Sequence, residues 1–192
     1  MELNHEEVTT PPAAAASIVL LRDAPGGLEV LMIERHASSS VLGGAHVFPG
    51  GKLDPGDSDA ALLDRLDREP ETLQAELREP GLGAREAAGL FVAAMREAFE
   101  EAGLLFTRGS TPVRAGVLDL RHAEGFSFGR MLADLGLDLD TSRLVPWSRW
   151  ITPRVPSVTA RRFDTRFFVA VAHAGVEVRH DDHEAVQSTW LR

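Results

Sequence analysis

The sequence predicts a mixed α/β sandwich, and three observations support that fold class. Two β-rich runs, SIVLLR at 17–22 and LEVLMIE at 28–34, stand close to the N-terminus. A stretch over 84–102 is rich in Ala, Glu, Arg and Leu, which are good helix formers. A second β-rich region covers 150–172. Strands on both sides of a long helix are typical of a fold in which helices cover a sheet.

Composition places the chain among ordinary globular proteins, with 44% hydrophobic and 26% charged residues. A net charge of −9 argues against broad nucleic-acid binding. No apolar run reaches the length of a membrane span, and without cysteine there are no disulfides or thiolate metal sites. We expect a flexible lead-in over 1–15, a single domain over 16–192 and, by default, a cytoplasmic location.

The first two β-rich runs are predicted to pair as a hairpin. The segment 23–27 between them contains a proline and two glycines, which favour a turn. A polar loop is expected over 36–40, and a short strand is expected to end at Phe48. Pro49-Gly50-Gly51 then breaks that strand and brings the backbone close to another group.

The segment 58–83 is predicted to be a helical insertion, because its leucines recur at helical spacing among charged residues. The helix over 84–102 follows it and meets Gly103 where a left-handed terminator is expected. Further along, we expect a strand over 104–107, one or two helices within 119–140 and a buried strand over 167–172.

Three glutamates share one face of the predicted helix 84–102. Glu97, Glu100 and Glu101 fall within a sector of about 100°, where they repel one another unless a positive group joins them. Oxygen ligands at that density suit Mg²⁺ or Mn²⁺, and Arg96 is spaced to reach Glu100 or to orient Glu97. A solvated acidic face is the competing interpretation. The Phe-Pro-Gly-Gly turn upstream favours a site, because its backbone groups suit a metal and a phosphate.

These residues resemble the Nudix box, G-x5-E-x7-R-E-U-x-E-E-x-G-U, in which U is a bulky apolar residue. Residues 48–52 resemble its start and residues 96–104 its second half, where the defining letters are all present as Arg96, Glu97, Glu100, Glu101 and Gly103. Two departures are visible. Asp57 stands where the box has Glu, and 38 residues rather than seven separate it from Arg96.

A coenzyme A diphosphatase branch of that family carries a long insertion at this place. It also shows a W-I-T-P segment followed by R-F-D-T-x-F-F, which residues 150–153 and 162–168 resemble. The resemblance extends from about residue 18 to residue 191. It implies a Nudix-type α/β/α sandwich with a mixed sheet and a helical insertion, at about 58–83, inside the box.

The resemblance also implies the residues of a site. The expected ligands of Mg²⁺ or Mn²⁺ are the Gly50 carbonyl group and the carboxylates of Glu97, Glu100 and Glu101. The expected catalytic residues are Arg96, Glu97, Glu101 and Glu184, although a solvated acidic loop explains Glu184 equally well. The expected substrate-binding residues are Arg35, Gly51, Lys52 and Arg162. Six arginines between 143 and 166 either steer an anionic substrate or pair with surface acids.

The favoured function is hydrolysis of a nucleoside diphosphate linked to another group. The resemblance implies coenzyme A or acyl-CoA as substrate, with 3′,5′-ADP and phosphopantetheine as products. ADP-ribose or NADH is the alternative substrate, and a nucleotide-sensing module without turnover is the alternative from another class. The expected partner is thus a small nucleotide diphosphate, with no nucleic acid and no membrane, and the family resemblance suggests a second copy of the chain as a homodimer partner.

Overall fold

A computed structural model describes residues 7–37, 43–109, 117–122, 124–155, 161–172, 178 and 185–192. Seven strands within them form one sheet: β1 Ala13–Ala24, β2 Gly27–Arg35, β3 His46–Val47, β4 Gly50–Lys52, β5 Val145–Ile151, β6 Phe163–Val171 and β7 Ala185–Leu191. The α-helices are α1 Ala60–Leu63, α2 Pro70–Leu77, α3 Ala84–Ala102 and α4 Phe128–Leu135. Short 3-10 helices cover Pro55–Ser58, Leu118–His122 and Thr141–Arg143.

Strand β1 organises the sheet. Its second half pairs antiparallel with β2, which confirms the predicted hairpin, and its first half pairs antiparallel with β4. Its other edge runs parallel to β6, which in turn pairs antiparallel with β5. Strand β2 also pairs antiparallel with β3 and β7. The sheet is therefore mixed, as predicted.

Several boundaries differ from the prediction because they depend on long-range pairing. Strand β1 begins at Ala13, inside the expected flexible lead-in, since Ala13 to Ala15 pair with the start of β6. The strand predicted over 104–107 is wrong: Thr107 makes an isolated bridge to Leu139, and the segment otherwise supplies buried side chains to the core. Pro49-Gly50-Gly51, which was predicted to break the strand that ends at Phe48, contains the start of a new short strand, β4, which pairs with β1.

Helix α3 has the predicted bounds and forms the centre of the core. Every residue from 87 to 99 is buried, because the helix packs against the sheet, α2 and the Phe126–Phe128 region. The Phe91 ring lies 4.6 Å from that of Phe168 on β6, and the Phe99 ring lies 5.9 Å from that of Phe128. Gly103 ends the helix in the left-handed region (φ 72°), as predicted. Among the described residues, no helix combines the length and apolarity needed to cross a bilayer.

An ion-pair network around Glu79 connects the insertion to the sheet. The Arg166 guanidinium donates to both carboxylate oxygens of Glu79, at 3.0 and 2.6 Å, and Arg149 lies 2.9 Å from the same carboxylate. Both arginines also contact Asp164, and the Arg149 hydrogen bonds are the main reason that the pKa of Asp164 lies below its ordinary value. These two members of the arginine-rich stretch therefore pair with acids, as does Arg154 with Glu7.

Glu79→Ala is expected to lower the free energy of unfolding by about 2–3 kcal/mol, because Arg166 is buried and loses its bidentate partner. Urea denaturation measures the loss. Glu71→Ala, at an exposed position of α2, is the control and should cost less than about 1 kcal/mol. Equal losses in the two variants would show that the network contributes nothing specific.

Candidate active site

Strand β4 lies close to helix α3 on one side and to β1 on the other, because Gly51 faces the helix and Gly50 faces β1 without side chains. The Gly50 amide donates to Oε2 of Glu101 at 2.9 Å. A Cβ atom on Gly51 would lie 2.1 Å from Oε1 of Glu97, and one on Gly50 would lie 2.6 Å from the Ala16 carbonyl oxygen. Side chains at either glycine would therefore displace the carboxylates or the sheet. The close backbone approach expected of this segment is present.

A buried arginine joins the acidic groups of the site. Arg96 donates from Nε and Nη2 to the two oxygens of Asp57, at 2.8 and 3.0 Å. Its Nη1 donates to Oε1 of Glu97 at 2.7 Å and to Oε2 of Glu100 at 3.0 Å. Its Nη2 also donates to the carbonyl oxygen of Lys52 at 2.9 Å. One guanidinium thus sets the positions of two helix carboxylates relative to β4.

The charges of this cluster determine how its members ionise. Burial lowers the pKa of Arg96, but the hydrogen bonds of Asp57 and the negative charge of Glu97 raise it above its ordinary value, so the guanidinium stays charged. Burial is the main reason that the pKa of Glu100 is raised, and Arg96 offsets this only in part. The glutamate face therefore still favours additional positive charge.

The three helix carboxylates line one cavity, together with Gly50. Glu97 and Glu100 are held by a shared arginine nitrogen, and Glu101 by a backbone amide. Among the residues that the structure describes, no three acidic or imidazole groups already surround one ion position. The donors are nevertheless all oxygens on adjoining elements, which is the chemistry that Mg²⁺ and Mn²⁺ prefer. The donor set therefore fits such an ion.

The cavity, which we call the main cavity, has a volume of about 670 Å³. Besides the carboxylates, basic and aromatic side chains line it: Arg35, Lys52, Arg121, Arg161, Phe48, Phe126 and Phe163. The Nε atom of Arg35 is buried and makes no hydrogen bond within the described part of the chain. An anionic ligand in this cavity would satisfy that donor.

The predicted substrate-binding residues divide into two groups. Arg35, Gly51 and Lys52 line the main cavity. Arg162 does not: its guanidinium donates to the carbonyl oxygens of Thr152, at 3.0 Å, and Thr10, at 3.5 Å, and so joins the segment after β5 to the start of the chain. The structure places its neighbour Arg161 in the cavity instead. The predicted catalytic residue Glu184 lies outside the described residues.

Arg121 is a cavity residue that sequence reasoning missed. Its guanidinium donates to the carbonyl oxygens of Phe99, at 3.2 Å, and Glu100, at 2.8 Å. It thus satisfies the last carbonyls of α3 and complements the negative end of the helix dipole. The sequence contains no local signal for this contact, because Arg121 and Glu100 are 21 positions apart.

Comparisons with known proteins agree with this fold. The family described as the NUDT19 Nudix domain matches residues 7–192. Human acyl-coenzyme A diphosphatase NUDT19 is 29% identical over 222 aligned residues, which cover 96% of this chain and 56% of the human protein. The Gallus gallus protein of the same name is 28% identical over 203 residues, covering 81% of this chain and 54% of that protein. This chain spans about half the length of these curated relatives.

A solved structure gives the same assignment. The crystal structure of a Nudix hydrolase from Alicyclobacillus acidocaldarius is 30% identical in sequence, with a TM-score of 0.76. The similarity covers 95% of this chain and 79% of that one. The chain therefore belongs to the Nudix hydrolase family, within the group described as the NUDT19 Nudix domain.

Proposed function

We propose that this protein is a divalent-metal-dependent diphosphatase that hydrolyses coenzyme A or acyl-CoA. The products would be 3′,5′-ADP and phosphopantetheine or its acyl derivative. The observation that carries the proposal is the position of Glu97, Glu100 and Glu101 beside the Gly50-Gly51 strand, in a cavity that is also lined by the basic side chains of Arg35 and Lys52. The names of the human and Gallus gallus relatives support the substrate class.

The proposed metal ligands are the Gly50 carbonyl group and the carboxylates of Glu97, Glu100 and Glu101. Nudix hydrolases generally use divalent metals, and oxygen donors suit Mg²⁺ or Mn²⁺. A bound ion of this kind neutralises a diphosphate and lowers the pKa of water. Arg96 has a positioning role, because its Nη1 holds Glu97 and Glu100 in place.

The chain's own residues would then carry the proton and the substrate. Glu97 or Glu101 would accept the proton of the attacking water, whose oxygen forms the new bond to one phosphorus. The bond from that phosphorus to the bridging oxygen breaks, and this oxygen leaves with its electron pair as part of the other phosphate. Glu184 is a further proposed base. Arg35 and Lys52 bind the substrate phosphates, and the buried Nε of Arg35 provides a donor for them. Gly51 leaves room for Glu97 beside that phosphate.

A substrate and metal screen tests the proposal directly. Purified protein is given CoA, acyl-CoA, ADP-ribose and NADH with Mg²⁺, Mn²⁺ or EDTA, and products are separated by chromatography. We expect CoA or acyl-CoA to have the highest kcat/KM, and EDTA to lower the rate by at least about 100-fold. Release of 3′,5′-ADP identifies the bond that is cleaved.

Each other outcome of this screen has a definite meaning. Turnover that survives EDTA would refute the metal mechanism. Faster turnover of ADP-ribose or NADH would identify that compound, and not CoA, as the substrate. Tight binding without any turnover would favour a nucleotide-sensing module. A cytoplasmic location and a homodimer stay predictions from the sequence.

A further inference from the structure

A second cavity, of about 580 Å³, lies beside the main cavity. One wall comes from residues 54–57, just before the insertion, and from residues 59–65 at its start, and the other wall comes from residues 126–133. Four lining residues belong to both cavities: Asp54, Arg96, Glu100 and Phe126. The two spaces therefore meet at the glutamate face where the diphosphate is proposed to bind.

The second cavity offers a different chemistry from the main one. Its walls are mainly small or apolar, and the large apolar side chains among them are Leu62, Phe126 and Phe128. Two arginines line the second cavity alone. One of them, Arg65, already donates a hydrogen bond to the Leu137 carbonyl oxygen at 3.2 Å and forms an ion pair with Asp138. The other, Arg130, is exposed on the rim. Little positive charge is therefore available inside this cavity.

An acidic group of the second cavity strengthens the contrast. Asp59 is exposed and lines the second cavity alone, where its carboxylate repels a phosphate group, whereas Asp54 lines both cavities. The main cavity carries Arg35, Lys52 and Arg161 in addition to the shared Arg96. A nucleotide with a second phosphate thus fits the main cavity, and an uncharged chain fits the second.

We infer that the second cavity binds the uncharged pantetheine arm, with any acyl group, while the main cavity binds the phosphorylated nucleoside. This inference rests on the proposed function and adds to it the orientation of the substrate. It also gives the insertion a role, because its first residues, between 59 and 65, build part of one wall. The insertion would then determine specificity for the group on the far side of the diphosphate.

Two exposed alanines allow the second cavity to be filled without disturbing the core. Ala133 on α4 and Ala61 on α1 both line it from the surface. We expect Ala133→Trp to lower kcat/KM for CoA by about tenfold or more relative to 3′-phospho-ADP β-methyl ester, which carries the same nucleotide without the arm. Ala61→Trp should change the same ratio in the same direction. Inhibition by phosphopantetheine should weaken in both variants, while inhibition by 3′,5′-ADP should persist.

The matched control is Ala75→Trp, an exposed position on the insertion helix α2 that lines neither cavity. Its ratio of the two kcat/KM values should stay within about twofold of wild type. Equal losses on both substrates, or no loss on either, in both cavity variants would overturn the assignment of the arm while the proposed function stands. Absence of CoA turnover by the wild-type protein would overturn the proposed function and this inference together.

Discussion

Glu101→Gln is expected to lower kcat for CoA by at least about 100-fold while leaving the fold intact. The substitution removes one negative charge from the proposed metal ligands, and a neutral amide oxygen binds Mg²⁺ more weakly than a carboxylate. In the wild-type protein the backbone N–H of Gly50 donates to Glu101 at 2.9 Å. The side-chain amide oxygen of Gln can still accept that hydrogen bond. The contact between α3 and β4 is therefore retained. Steady-state kinetics at saturating Mg²⁺ and circular dichroism measure the two effects.

Glu86→Gln provides the matched control, because it makes the same chemical change on the same helix. Glu86 is exposed in the first turn of α3 and lines neither cavity of the proposed site. Its kcat should stay within about twofold of wild type. Full activity of the Glu101→Gln variant would show that Glu101 is neither a metal ligand nor a catalytic residue. A lowered melting temperature with proportional loss of activity would indicate a structural role only.

The parts of the fold that were predictable are those governed by local sequence. Helix α3 has its predicted bounds because strong helix formers continue up to Gly103, which takes the left-handed conformation. The β1–β2 hairpin follows from a turn of Pro and Gly between two β-rich runs. Strands β4 and β7 were not predictable, since both exist through pairing with β1 or β2 far away in sequence.

The site divides in the same way. Glu97, Glu100 and Glu101 share a face because of helical periodicity, and this was visible in the sequence. The choice between Arg161 and Arg162 was not visible, because neighbouring positions just before β6 differ in direction and only the strand register decides it. The partner of Arg96 was equally hidden, because the insertion separates Asp57 from it by 39 positions in sequence.

Asp57→Ala is expected to lower the free energy of unfolding by about 3 kcal/mol, because it leaves a buried guanidinium without its bidentate partner. Asp57 is only 2% exposed and accepts both Nε and Nη2 of Arg96, as well as the Asp54 amide at 2.8 Å. We also expect kcat/KM for CoA to fall by about 100-fold, since a displaced Arg96 no longer holds Glu97 in place. Urea denaturation and steady-state kinetics measure the two losses.

Two further variants separate the charge of Asp57 from its shape. Asp57→Glu introduces the residue that the Nudix pattern has at this position, and it keeps the ion pair with Arg96. This variant should therefore lose less activity than Asp57→Ala, even though its longer side chain crowds the core. Asp64→Ala, at the exposed end of α1, should change the free energy of unfolding by no more than about 0.5 kcal/mol. A destabilised Asp57→Ala protein with wild-type kcat/KM would show that Glu97 and Glu100 keep their positions without a fixed Arg96. In that case the arginine would stabilise the insertion, and the carboxylates alone would form the site.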